Sequence, residues 1–374
     1  MFPLLKRASL LFVFFLPTVL YAGDYTYQQT TQITGGSLLK MMKTVGVFSS
    51  QARHMGDPVT STIYLKGNQL ADVSPTQIQI IDLDKETITQ VDVEKKTWSV
   101  MTFDQMKQAI ENARERMQQE QAKQQSQQTA QSPDAQNVQM SFDVKVRKTG
   151  ATKDVSGLNS SEAILTMAMT ATNTQKQQSG NLAITNDMWM VPSVPGYEQV
   201  REFYKKFALK MGDATVGFGR DMSRMLAQQP GANQAMGDMV KEMQKLDGVP
   251  VMQVMRMGTT ANGQPLPAAS EAPLPAEAPG PSKGEIAKAG MSSMISSKLG
   301  GFGGFGKKKK DTPPPDENAA QAGAQPTTAI LMEMQTTTSN FSSGPVDPSH
   351  FEVPAGYQQV TAPMLEHQQE MSGK

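Results

Sequence analysis

Methionine is the one side chain with chemical potential that this sequence carries in excess, with 27 copies against no cysteine. The copies recur in groups two or three positions apart: Met167/Met169, Met188/Met190, Met222/Met225, Met236/Met239, Met252/Met255/Met257 and Met332/Met334. Soft thioethers outside the cytoplasm can hold Cu(I). The same spacings are also where apolar residues fall on a single buried face, two apart along a strand and three apart along a helix. Methionine is besides a flexible filler that suits a core or a variable apolar ligand. A core or an apolar cavity wall is therefore the preferred reading. No metal site is expected, and Cu(I) binding stays as a weaker alternative.

Other chemistry finds no set of residues. The histidines are His54, His350 and His367, none in a metal-ligand or nucleophile motif, and each reads as a surface residue. Asp82 and Asp84, in Ile-Asp-Leu-Asp-Lys-Glu-Thr, lack the glycine and the following bidentate Glu of a calcium loop and read as hairpin acids. Gly300 to Gly306 lacks the Lys-Ser/Thr ending of a phosphate loop and reads as a flexible linker. Lys307 to Lys310 reads as a solvated patch. No acid, base and nucleophile can be assembled, so the expectation is no enzyme and no cofactor.

The elements that must position these residues begin after residue 22. Lys6 and Arg7, an apolar run from Ala8 to Val19 and the small Ala22 have the order of a secretory signal peptide over residues 1–22. Its alternative is an uncleaved anchor, since Leu20 is bulky for its place. No later stretch is long and apolar enough to span a bilayer, so no transmembrane span is expected after cleavage. Lysine plus arginine equal aspartate plus glutamate, 35 each, which argues against nucleic acid as a partner. Without cysteine, neither disulfides nor thiolate sites are available.

Asp24 to Ile33 reads as a first strand, and Ser37 to Phe48 as mixed with a short helix. Thr60 to Thr102 reads as a meander with a turn at Gly67-Asn68 and charged turns at Asp84-Lys85-Glu86 and Glu94-Lys95-Lys96. A helix follows from Phe103 to about residue 125 and dissolves into a Gln-rich arm over residues 118–136. Strands return at Val138 to Lys148, Lys153 to Val155, Ser161 to Asn173 and Asn181 to Val191, with turns at Thr149-Gly150 and Ser156-Gly157. In the third of these, Leu165, Met167 and Met169 alternate with Ile164, Thr166, Ala168 and Thr170, one face buried and the other wet or lining something. Helices are expected at Tyr197 to Met211, Gly219 to Gln228 and Asn233 to Leu246, then a strand from Pro250 to Met257. Residues 261–326, opening on a Pro/Ala linker, read as a disordered insert in the sheet, because strand signals resume at Thr327 to Phe341 and Phe351 to Val360.

That order resembles the periplasmic lipoprotein-carrier fold of LolA and LolB, and several phrases resemble an uncharacterised bacterial family near those carriers. They are Ile63-Tyr64-Leu65-Lys66-Gly67-Asn68, Ile80-Ile81-Asp82-Leu83-Asp84, Lys95-Lys96-Thr97-Trp98-Ser99-Val100, Lys148-Thr149-Gly150-Ala151-Thr152-Lys153, Asn186-Asp187-Met188-Trp189-Met190 and Phe351-Glu352-Val353-Pro354-Ala355-Gly356-Tyr357. The resemblance implies an α+β fold: a curved antiparallel sheet, an incomplete barrel, covered by helices, with long disordered inserts. It would form a single domain over residues 23–361, with a tail at 362–374. The function expected is periplasmic or secreted, non-enzymatic binding of a lipid or other apolar ligand, with Trp98, Trp189, Met167 and Met169 as candidate ligand-binding residues. No arginine matches a carrier's gating role, so lipoprotein transfer itself is not carried over. The alternative is a cell-envelope interaction module, with another envelope protein as partner and no ligand cavity.

Overall fold

The computed structural model describes residues 23–45, 56–131, 138–173, 178–212, 232–260, 265–274 and 328–366. The signal-peptide region, the helix expected at Gly219 to Gln228 and most of the insert and tail lie outside the described residues.

The first half builds as its sequence suggests. Strand β1 (Asp24–Gly35) and helix α1 (Ser37–Val45) precede a meander of β2 (Val59–Lys66), β3 (Gln69–Val73), β4 (Gln77–Asp82), β5 (Thr87–Asp92) and β6 (Thr97–Thr102). Two of its turns repeat one device. Asp82 Oδ1 accepts the backbone N–H groups of Asp84 and Lys85, Asp92 Oδ1 accepts that of Lys95, and each turn ends on a left-handed residue, Glu86 or Lys96. Such carboxylate-to-backbone turns are what a short polar side chain at a strand end provides. Burial alone would raise the Asp82 carboxyl, but the Lys85 N–H, the Gln69 amide and the Lys85 ammonium outweigh it and hold it below its ordinary value.

Helix α2 (Phe103–Gln131) follows directly, with a reciprocal cap: the Thr102 hydroxyl accepts from Gln105 N–H while the Gln105 side chain accepts from Thr102 N–H. The long antiparallel run β7 (Val138–Val155), β8 (Leu158–Asn173) and β9 (Gln178–Val191) comes next. The turn expected at Thr149-Gly150 is instead a bulge inside β7: the pairing with β8 shifts between Lys148 and Thr152, and Gly150 takes a φ of 82°. A bulge needs the same left-handed glycine as a turn, so the dipeptide does not distinguish them. Helices α3 (Glu198–Met211) and α4 (Ala232–Met243), then β10 (Val249–Thr260), β11 (Thr328–Ser342), a 3-10 turn (Pro348–Phe351) and β12 (Gln358–Gln359) follow among the described residues. The final strand expected from Phe351 to Val360 shrinks to two residues, parallel to β6, because residues up to Glu352 belong to the 3-10 turn and its cap.

All twelve strands join one open sheet in the order β12-β6-β5-β4-β3-β2-β1-β11-β10-β9-β8-β7. Apart from β12, every pairing is antiparallel. β10 and β11 are neighbours in the sheet, so residues 261–327 fall in sequence between two paired strands.

The main cluster lies against one face of β1 to β5. Tyr25, Tyr27, Ile63, Leu65, Leu70, Ile81 and Ile88 meet Phe103 of α2 and Val200, Phe203 and Met211 of α3. With the half-buried Phe207, the α3 residues recur at three- and four-residue spacing, the signature of one buried stripe. Met211 takes the inner place while Leu209 stays 74 % exposed. Burial, with Tyr197 and Glu198 nearby, pushes the Tyr25 phenol up to about 12. Each fully buried aromatic here contributes about 1.5–3 kcal/mol.

Candidate functional site

Residues paired across an antiparallel sheet share a face, so the register assigns each side chain of β7 to β11. One set of rows runs Thr31, Thr336, Gln253, Met188, Ala163; then Ile33, Met334, Met255, Asn186, Leu165, Val146; then Met332, Met257, Ile184, Met167, Val144; then Leu182, Met169, Phe142. Seven methionines therefore stand on one face with Leu165, Leu182, Ile184 and Ile33. Met188 is buried beside Ala163, Met190 and the Leu246 that follows α4. Met255, Met257, Met332, Met334 and Met169 are half-buried, and Met167 is 36 % exposed. This surface is apolar, adaptable and only partly covered among the described residues.

The opposite face of the same strands is polar and covered. Its rows run Thr30, Thr337, Met252, Trp189, Glu162; then Gln32, Gln335, Val254, Asp187, Ile164; then Gly35, Glu333, Arg256, Thr185, Thr166. Across it lies a strap, residues 265–274, where the sequence suggested a disordered linker. Leu266 and Ala268 are buried, Leu266 against Ala183, Ile330 and Leu274. The strap is tied by polar contacts rather than by bulk, which a Pro/Ala-rich composition hides. Arg256 Nη1 faces the carbonyl oxygens of Pro267, Ala268 and Ala272 at 2.9–3.0 Å, and its Nε donates to Glu333 Oε2 at 2.7 Å. Thr34 Oγ1 donates to Glu333 Oε1 at 2.6 Å, and Thr185 Oγ1 donates to Leu266 O at 2.7 Å. Ser270 N–H donates to Asp187 Oδ2 at 3.0 Å. Between strap and sheet is a cleft of about 410 Å³, walled by Trp189, Met252, Val254, Pro273 and Leu274, with Lys153, Asp187, Arg256, Glu333 and Gln335 among its polar groups.

The four ligand-binding candidates do not form one wall. Met167 and Met169 belong to the thioether face. Trp189 belongs to the strap face, where Lys153 Nζ stands 5.3 Å from its ring centroid. Trp98, on β6, pairs with Val91 and Gln359 near the far edge of the sheet, on the side where His350 stacks on Tyr64 at 3.7 Å. Sequence reasoning missed Glu162, Asp187, Arg256 and Glu333, all at most 7 % exposed. Their signal was present in part: Arg256 and Glu333 each stand between two methionines inside a strand, as in Val-Met-Arg-Met and Met-Glu-Met, whereas Glu162 and Asp187 follow the polar Ser161 and Asn186. Among the described residues no group of three or more His, Asp or Glu side chains could hold a metal ion, and Asp82 and Asp84 serve their hairpin. No helix among them is long and apolar enough to cross a membrane. Comparison with protein-family models finds no family that matches the chain, and comparison with curated proteins finds no match.

Proposed function

We propose that this is a non-enzymatic binding protein, periplasmic or secreted, that takes an acyl chain or another apolar ligand on the thioether face of β7 to β11. The observation that carries the reading is the register, which gathers seven methionines with leucine and isoleucine on one face and leaves most of them half-buried. Apolar area leaving water supplies the affinity, at about 0.8 kcal/mol per buried methylene, and unbranched thioethers accept several chain shapes. An open antiparallel sheet with α2 and α3 against the aromatic half supports an incomplete barrel like that of the LolA/LolB carriers. The location rests on the signal-peptide pattern of residues 1–22.

Native mass spectrometry of the mature protein, followed by lipid extraction, tests this reading. A stoichiometric acyl species is expected. Met255→Leu with Met257→Leu should leave uptake of a fluorescent fatty acid within about twofold, whereas glutamine at both positions should weaken it about tenfold or more, two buried methylenes being worth that much. Loss of binding in the leucine variant, with Cu(I) uptake in the wild type, would point to the thioether sulfurs themselves. The interaction-module reading is favoured by Tyr204 and Leu209, 44 % and 74 % exposed on α3. A bare mass with no fatty-acid uptake would leave it in front.

A further inference from the structure

We infer that a proton shared between Glu162 and Asp187 of the sheet lets the strap of residues 265–274 stay seated over Asp187, and that the strap lifts from the cleft when that proton is lost. The inference concerns the face opposite the methionines and is independent of the apolar-ligand reading. Glu162 pairs with Trp189 and Ile164 with Asp187, so the two acids are diagonal neighbours on one face of β8 and β9. They are 5 % and 2 % exposed. Each has one oxygen engaged: Glu162 Oε2 accepts from the Thr149 hydroxyl, and Asp187 Oδ2 accepts from Ser270 N–H at 3.0 Å. Each has one oxygen left without a donor, Glu162 Oε1 and Asp187 Oδ1. Two buried acceptors side by side are satisfied together by a single proton, and by nothing else that a carboxylate pair carries.

The surrounding charges are engaged elsewhere. Arg256 of β10 serves Glu333 of β11 and the strap carbonyls, Lys153 of β7 lies over the Trp189 ring, and Arg147 of β7 pairs with Glu271 of the strap. Burial raises the Asp187 carboxyl, the Ser270 N–H draws it back, and the Glu162 charge adds to the rise. A carboxyl raised in the folded state contributes stability that is complete below its ordinary range and lost as pH climbs through the raised value. Above it, both acids are charged and buried beside one another, and the one strap amide that serves them, Ser270 N–H, which an ionised Asp187 holds more tightly, does not offset two desolvated charges. Lifting the strap admits water to Asp187, at the cost of the Arg256–carbonyl, Thr185–Leu266 and Arg147–Glu271 contacts and of the burial of Leu266 and Ala268.

Hydrogen exchange of the full-length protein reads this directly. After correction for intrinsic rates, protection of the segment containing Ser270 should fall about tenfold or more between about pH 5 and about pH 8, while β4 and β5 amides hold theirs. Asp187→Asn and Glu162→Gln each supply an amide N–H where the proton sat, and each should flatten that fall to within about twofold. Either variant alone decides, so failure of one to fold leaves the other as the test. Protection independent of pH in the wild type, a fall shared with β4 and β5, or an undiminished fall in the folded variants would each overturn this role of the proton.

Discussion

Arg256 is the first of the large side chains that the described fold buries completely, and its partners explain how a guanidinium survives there. One edge meets the Glu333 carboxylate and the Nη1 nitrogen meets three strap carbonyls, so the charge is both paired and solvated by backbone. Replacing it by methionine leaves the Glu333 carboxyl buried with the Thr34 hydroxyl but without its guanidinium. Removing one partner of a buried pair costs about 3–5 kcal/mol, whereas replacing both by apolar side chains is far less damaging. Arg256→Met should therefore lower the urea unfolding free energy by about 3–5 kcal/mol, and adding Glu333→Met should restore more than about half of it. Additive losses in the double variant would mean that the ion pair carries no such coupling. The sequence shows an arginine among methionines at a strand position but not its partner: Glu333 stands 77 residues away, and the other acceptors are backbone atoms of the strap.

At the scale of elements, local chemistry made the hairpins legible and tertiary contacts made the rest. The Ser156-Gly157 turn between β7 and β8 has φ of 54° and 80°, both left-handed, the geometry that a two-residue hairpin loop requires. Glycine adopts it freely and serine does so at a cost, while asparagine tolerates it well. Nothing lies within 4 Å of a Cβ on Gly157, so the site is open and conformation alone decides. Ser156→Asn should stabilise the protein by about 0.5–1 kcal/mol, read from the urea midpoint, and Gly157→Ala should destabilise it by a similar amount. Equal midpoints in all three proteins would show that this hairpin is not limiting for the fold. The strap is the contrary case. Residues 265–274 contain prolines, alanines and two Pro-Leu pairs, a composition with little to bury, and yet Leu266 and Ala268 are fully enclosed. What orders them is Arg256, Thr185 and Asp187 reaching out from the sheet, and a periodicity analysis of the strap itself cannot see donors that belong to other strands.

For the molecule as a whole, an antiparallel sheet interrupted by an insert was readable because strand signals stand on both sides of residues 261–326, and the order of strands was not. β11 pairs with both β1 and β10, so a segment near the end of the sequence lies between the first strand and the last part of the run that precedes the insert. This placement also separates the methionines from the tryptophans. The register alone sends Met167 and Met169 to one face and Trp189 to the other, which strand alternation can show within β8 or β9 but not across the whole sheet. Among the described residues, the β2–β6 meander and the β7–β10 run therefore share a ladder through β1 and β11. A chain ending at Thr260 loses both pairings of β11, strips Phe341 from Tyr27 and Tyr197, and leaves β1 and β10 as bare edges. That chain should show no cooperative urea transition and should aggregate when refolded. Supplying residues 328–366 as a separate peptide should restore a transition whose midpoint rises with peptide concentration, as expected when a binding partner stabilises only the folded state. A truncated chain that unfolds cooperatively without the peptide would mean that the two halves of the sheet are independent folding units and that β11 only bridges them.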